Sequence, residues 1–183
     1  MFYTKEELTE MGFKSFGENV LISDKSSIYG AKNIEIGSNV RIDDFCIISA
    51  GEGGIKIGNY VHIACYASLI GNGKIVLGDF VGVSGRVSIY SSSDDYTGLA
   101  MTNPMVPEKF KKVNNGDVII NKHTIIGASS VILPNVNIGD GCAIGALTLI
   151  NRDCEEYSIY TGNPFKKIGK RLKKFLKYEK DII

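Results

Sequence analysis

Two histidines, His62 and His123, are the only imidazoles in the 183 residues, and imidazole is the side chain best matched to taking up a proton near neutral pH. Either could act as general base toward an attacking amine or hydroxyl. Either could equally be a turn histidine, in solvent or bonded to nearby backbone. A second group able to do chemistry is the pair Asp94 and Asp95, set in Ser91-Ser-Ser-Asp-Asp-Tyr-Thr-Gly98. These carboxylates could accept a proton or hold hydroxyls or an ammonium group through charge-assisted hydrogen bonds, or simply be solvated loop acids. Cys46, Cys65, Cys142 and Cys154 show no CxxC spacing, and three of them fall at one position of the repeat described next, so they read as buried free thiols. Two histidines also fall short of a three-histidine zinc site, and no metal is expected.

What must position these groups is a repeat of six. From Ile120 to Ile150 an aliphatic residue returns at 120, 126, 132, 138, 144 and 150, often followed by Gly, and the fourth residue after it is small or β-branched: Thr124, Ser130, Val136, Cys142, Thr148. Neither a helical period of 3.6 nor a strand period of 2 puts isoleucines at a strict spacing of six on one face, so each repeat reads as a short strand plus a turn. Upstream the register runs Phe16, Ile22, Ile28; Ile36, Ile42, Ile48; Ile57, Ile63, Leu69; and Leu77, Val83, Ile89. Steps within a triplet are always six, whereas longer steps (28 to 36, 48 to 57, 69 to 77, 89 to 120) follow a third repeat. With three repeats per turn, all insertions leave one corner of a triangular prism. An all-β solenoid of about six coils results, spaced about 4.8 Å apart. His62, five after Ile57, and His123, three after Ile120, then both fall in the turn from first to second face, two coils apart.

The appendages read as follows. Thr4-Lys-Glu-Glu7 has capping-box spacing and predicts a short helix from about residue 5 to 11. The stretch 90–117 is too long for an idle connector, and its Tyr96, Leu99, Met101, Met105 and Phe110 suit it to docking on something. After Gly162, Asn163 reads as a cap and Pro164 as the opening of a basic amphipathic helix, with Phe165, Ile168, Leu172, Phe175 and Leu176 on one face and lysines on the other. Such a helix could cover the open last coil or, less simply, lie on an anionic membrane. The organisation expected is therefore an N-terminal appendage 1–14, a solenoid 15–163 carrying the loop 90–117, and a C-terminal basic helix 164–183. A net charge of +1 gives no sign of nucleic-acid binding, no apolar run approaches a membrane span, and the acidic start MFYTKEELTE is unlike a signal peptide. The expected location is cytoplasmic.

The [aliphatic]-Gly-x-x-[small]-x pattern and the ending Tyr160-Thr-Gly-Asn-Pro164 resemble the left-handed β-helix acyltransferases of the hexapeptide-repeat superfamily. Arg41-Ile-Asp-Asp-Phe-Cys46, Val61-His-Ile-Ala64, the Ser91–Gly98 segment, Thr102-Asn-Pro104 and Lys122-His123 narrow the likeness to sugar acyltransferases of polysaccharide clusters, above all the dTDP-4-amino-4,6-dideoxy-D-glucose acyltransferase type. The resemblance covers nearly all of residues 14–171. It implies a left-handed solenoid, acetyl-CoA as acyl donor, a nucleotide-sugar acceptor acylated at its C4 amine, and a homotrimer with active sites between prisms. O-acylation of a galactoside-like or polysaccharide hydroxyl is the alternative, and a scaffold solenoid is the alternative of another class, though it would not account for the long loop and the paired aspartates. In similar enzymes the turn matching Tyr60–Tyr66 lines the acceptor pocket, which favours His62 as base over His123 and adds Tyr66, Asp94 and Asp95 as substrate ligands. The galactoside acetyltransferases, which the chain also resembles, carry a catalytic histidine on the long loop; here that loop has none. The resemblance further places coenzyme A along the upper coils, beside the small residues Ala128 and Ala146, with Arg152, Lys166 and Lys167 near its phosphates.

Overall fold

In a computed structural model, described here for residues 1–182, the chain forms a parallel β-helix. Its strands fall into three long sheets, one per prism face, in which each strand's neighbours are the matching strands of the coils before and after it. Six complete coils span residues 15–29, 34–50, 55–71, 75–90, 118–132 and 136–150, and a partial seventh follows with the bridge of Cys154 to Ile138 and the strand Ser158–Thr161. The six-residue register is the register of the coils. On the first face Phe16, Ile36, Ile57, Leu77, Ile120 and Ile138 pair in one unbroken column. The inward isoleucines, leucines and valines of coils 2 to 6 are almost wholly buried, so hydrophobic burial fixes which side of each two- to four-residue strand faces in.

Corners repeat as strictly as faces. At the first corner Asn19, Asn39, Tyr60, Phe80, His123, Gly141 and Tyr157 all take left-handed backbone, and from Asn39 upward each N–H donates to a carbonyl of the coil below, as Phe80 does to Asn59 at 2.8 Å. Left-handed backbone is disfavoured for residues with a Cβ. Side-chain stacking along the ladder offsets this: Asn19 bonds Asn39 at 2.9 Å, Tyr60 stacks on Phe80 at 4.9 Å, and Phe80 on His123 at 4.9 Å. The second corner carries a matching ladder of Phe45, Tyr66, Arg86, Ser129 and Leu147. Cys46, Cys142 and Cys154 are buried free thiols, while Cys65, beside the second corner, is exposed. Burial pushes Cys46 up to about 11 and Cys154 up to about 12, so neither supplies thiolate at neutral pH.

Both ends are closed. The helix Lys5–Glu10 has its full capping box, with Glu7 N–H donating to Thr4 Oγ1 and Thr4 N–H to Glu7 Oε2, and its Leu8 enters the core. At the other end Phe165 is buried against Tyr160. The helix expected from Pro164 does not begin there. Lys166–Lys170 is instead a strand, antiparallel to Ser158–Thr161, and helical backbone starts only with the 3₁₀ turn Lys174–Tyr178 and the short helix Glu179–Ile182. The last coil presents an unpaired strand edge whose backbone groups need partners, and that need overrides the helical spacing of the apolar residues. The chain then runs back down the first corner as a strap. Arg171 Nη1 donates to the carbonyls of His123 (2.6 Å), Gly141 and Cys142, Phe175 packs on His123, and the Ile182 carbonyl meets the Tyr60 hydroxyl at 3.4 Å. Among the described residues no helix is long and apolar enough to cross a membrane.

Candidate functional site

The second face carries the chemistry. Because Val61 and Ile63 point into the core, strand alternation turns His62 outward. It begins the strand His62–Ile63, which corrects the expectation that it lies in the turn; the turn residue of that coil is Tyr60. Register places His62 between Arg41 below and Gly82 above, with Ile125 and Ala143 continuing the outward row. His62 Nε2 lies 2.8 Å from Asp43 Oδ2, and Arg41 Nε donates to Asp43 Oδ1 at 2.7 Å. Partial burial pushes Asp43 upward, but the hydrogen bonds and charges of Arg41 and His62 outweigh it and hold the carboxyl below its usual range. In the neutral form of the ring, an ionised Asp43 favours the tautomer with the proton on Nε2 and the lone pair on Nδ1. Arg41 and Asp43 belong to a motif that carries the family likeness, but neither had been given a site role from sequence, although both sit beside inward Ile42 as His62 sits beside Ile63, and this phase puts Arg41 directly below the histidine.

Two concavities meet at His62. One, of about 590 Å³, is lined by Asn39, Arg41, Asp43, Tyr60, Val61 and His62. The other, of about 260 Å³, is lined by His62, Ala64, Gly82, Val83, Ser84, Gly85 and Ile125. Ser84 is a further residue that sequence reasoning missed. A separate groove of about 540 Å³ on the first face gathers Lys14, Lys32, Lys56 and Lys74 with Glu35 and Glu52; none of these is a candidate for the chemistry at His62.

His123 is placed differently. It is the left-handed residue of the first corner in coil 5, buried between Phe80 and Phe175. Its Nε2 lies 3.1 Å from Glu179 Oε2, out of line for a hydrogen bond, and has no hydrogen-bond partner among the described residues. The strap therefore closes it off from an acceptor. In the long loop, Ser92–Ser93 pairs antiparallel with Asn114–Asn115 at the root. Asp95 is buried and accepts from the Thr97 hydroxyl and from the N–H groups of Thr97, Leu99 and Ala100; the Thr97 bonds first, and then the Ala100 and Leu99 amides, hold it down to about 2. Its four hydrogen bonds shape the loop, which removes it as a free substrate ligand. Asp94 is half-buried and accepts only a 3.3 Å bond from Asn103 N–H, so it retains acceptor capacity.

The remaining candidates scatter. Tyr66 lies at the second corner, stacked on Phe45 at 5.0 Å beneath Arg86, and lines neither cavity at His62. Ala128 and Ala146 are exposed on neighbouring coils of the same corner, where the Leu147 N–H donates to the Ala128 carbonyl. Gly127, just before, has no room for a side chain, since a Cβ there would stand 2.4 Å from Ala146 N. Arg152 lays its guanidinium over Phe165 at 4.3 Å, Lys167 pairs with Glu155 at 2.6 Å, and Lys166 is exposed on the terminal strand. No group of three or more metal-ligating side chains occurs among the described residues.

The fold has counterparts among known proteins. Residues 117–152 match the family model described as bacterial transferase hexapeptide (six repeats). The chain is 54% identical to a dTDP-4-amino-4,6-dideoxy-D-glucose acyltransferase of Escherichia coli, over 98% of its own length and 94% of the relative's. It superimposes with a TM-score of 0.94 on AntD, an N-acyltransferase from Bacillus cereus, solved with dTDP and 3-hydroxybutyryl-CoA, at 46% identity over 99% of this chain and 95% of that one. A variant of the same enzyme, with dTDP-4-amino-4,6-dideoxyglucose and coenzyme A bound, matches at 0.94 and 45% identity over 99% and 96%.

Proposed function

The chain belongs to the hexapeptide-repeat acyltransferases, enzymes built on a left-handed parallel β-helix, and from that premise we propose that it transfers an acyl group, acetyl in the simplest case, from its coenzyme A thioester to the C4 amine of a dTDP-4-amino-4,6-dideoxy sugar. The product would serve surface-polysaccharide assembly, such as the lipopolysaccharide O-antigen, in the cytoplasm. The observation that carries the chemistry is the set Arg41–Asp43–His62, opening where the outward row changes from polar to apolar residues. The acceptor amine attacks the thioester carbonyl; its proton passes to His62 Nδ1, the C–S bond breaks, and the thiolate leaves and is protonated. Asp43 fixes the tautomer and Arg41 fixes Asp43.

The donor reaches this point along the upper coils, past the exposed Ala128 and Ala146, whose small side chains leave room for it. Arg152, Lys166 and Lys167, the last shared with Glu155, are the basic residues that would meet the donor's phosphates. The loop supports a shared site: Tyr96, Leu99 and Met105 are each more than four-fifths exposed, apolar surface that a second prism would cover. In this reading the protein is a homotrimer, and Asp94 on one protomer's loop faces the acceptor held by its neighbour.

Replacing His62 by Asn tests the reading. Turnover is expected to fall about 10²- to 10⁴-fold with coenzyme A affinity and melting temperature kept, because the side chain is half-exposed and fills no core. Undiminished turnover would remove His62 as the base. His123→Asn is the contrast: its ring is packed between Phe80 and Phe175, so it should lower thermal stability while leaving turnover per folded molecule.

A further inference from the structure

Most of the 21 glycines are demanded by the fold, either by left-handed backbone or because a Cβ would collide with the next coil, as at Gly127 and at Gly145, where it would stand 2.7 Å from Thr161 Oγ1. Gly82 is different. Its backbone is ordinary, and a Cβ there would meet nothing closer than Ile125 Cγ1 at 3.9 Å; only Gly169, on the terminal edge strand, shares that freedom. A glycine inside a strand weakens it and often marks a place where a ligand comes close. Gly82 lies in the outward row directly above His62 and directly below Ile125.

We propose that Gly82 keeps open the subsite for the acyl chain, and that Gly82 and Ile125 together set the chain length accepted. This rests on the acyl-transfer reading above. The depression over Gly82 is lined by Ala64, Val83, Gly85 and Ile125, with Ser84 and His62 as its only polar side chains. Its neighbour offers Asn39, Arg41, Asp43 and Tyr60. The hydroxyls and amine of a 4-amino-4,6-dideoxy sugar find hydrogen-bonding side chains in that neighbouring cavity, whereas a hydrocarbon chain suits the depression over Gly82, which offers almost none. His62, common to both, stands where the amine meets the thioester carbonyl: the N–C bond forms there, the C–S bond breaks, the amine proton goes to the imidazole and the sulfur leaves toward the upper coils. Ile125, about half exposed, closes the far side of the subsite.

The test is kcat/KM for acetyl-, propionyl- and butyryl-CoA with dTDP-4-amino-4,6-dideoxyglucose, in the unaltered protein and in Gly82→Ala, Gly82→Val and Ile125→Ala. The ratio of butyryl to acetyl should fall stepwise through Gly82→Ala to Gly82→Val, by about tenfold or more at valine, and should rise by about tenfold in Ile125→Ala, with KM for the sugar little changed. Equal losses for all three thioesters, or a rise in the sugar's KM alone, would overturn the assignment. Circular-dichroism melts establish that each variant folds. The selectivity ratio does not depend on which group is the base, so a failure of His62 in its own test leaves this one intact. If no thioester is turned over, the acyl-transfer reading fails, and calorimetric affinities of the thioesters relative to coenzyme A still read the subsite: affinity gained with chain length and lost in Gly82→Val supports it, and equal affinities reject it.

Discussion

At the scale of single residues, the site turns on which polar groups are already engaged. Asp95 has four hydrogen bonds within its loop, Asp94 one long one; adjacent in sequence, they have separate roles that only the folded loop reveals. The pH behaviour of Asp95 follows. Its folded value of about 2 lies below the ordinary carboxylate value of about 3.9, so its contribution to loop order is complete above pH ~4 and is lost as pH falls toward 2. Cleavage by pepsin between residues 96 and 105 should accelerate across that window, and Asp95→Asn should be cleaved readily throughout; a protein cut equally at pH 2 and pH 4 would contradict this. Asp43→Asn releases the tautomer of His62 without removing the ring, so kcat should drop by about tenfold or more, short of the loss in His62→Asn, with the KM for acyl-CoA retained. That His62 is the open histidine and His123 the covered one was not legible from their spacing, since the cover comes from Phe175 and Glu179, more than fifty residues along the chain.

At the scale of elements, the six-residue period was legible because nothing competes with it. Each inward aliphatic has a partner above and below, and every insertion leaves the third corner, so the register of all three faces could be written down from the sequence. Ile126 is fully buried, and Ile126→Ala should cost about 2–5 kcal/mol in denaturant unfolding; a loss under ~1 kcal/mol would mean the inward register is misassigned. Residues 164–170 were misread because Pro164 and a helical spacing of apolar residues are genuine helix signals that act locally. The exposed edge of Ser158–Thr161 is a tertiary demand, and it wins. Lys166, Lys167 and Lys170 on the resulting edge strand discourage any further strand from adding.

At the scale of the whole molecule, the prism is a stack in which each coil touches only its neighbours, with one loop reaching outward. If that loop docks on a second prism, Leu99→Glu with Met105→Glu should give a monomer by sedimentation velocity, with lost activity but an unchanged far-ultraviolet spectrum; a trimer that survives both charges would detach the loop from assembly. The strap 171–182 breaks the nearest-neighbour rule. Leaving the seventh coil and touching the sixth, fifth and third, it rivets distant layers together as a bolt through a pile of washers would. A plain stack can shed its last layer alone. Here, peeling the top coil first requires Arg171, Phe175 and the end of the chain to let go of three lower coils at once, so amides of the fifth, sixth and seventh coils should exchange as one block, and Arg171→Ala should let the seventh slip free ahead of the others.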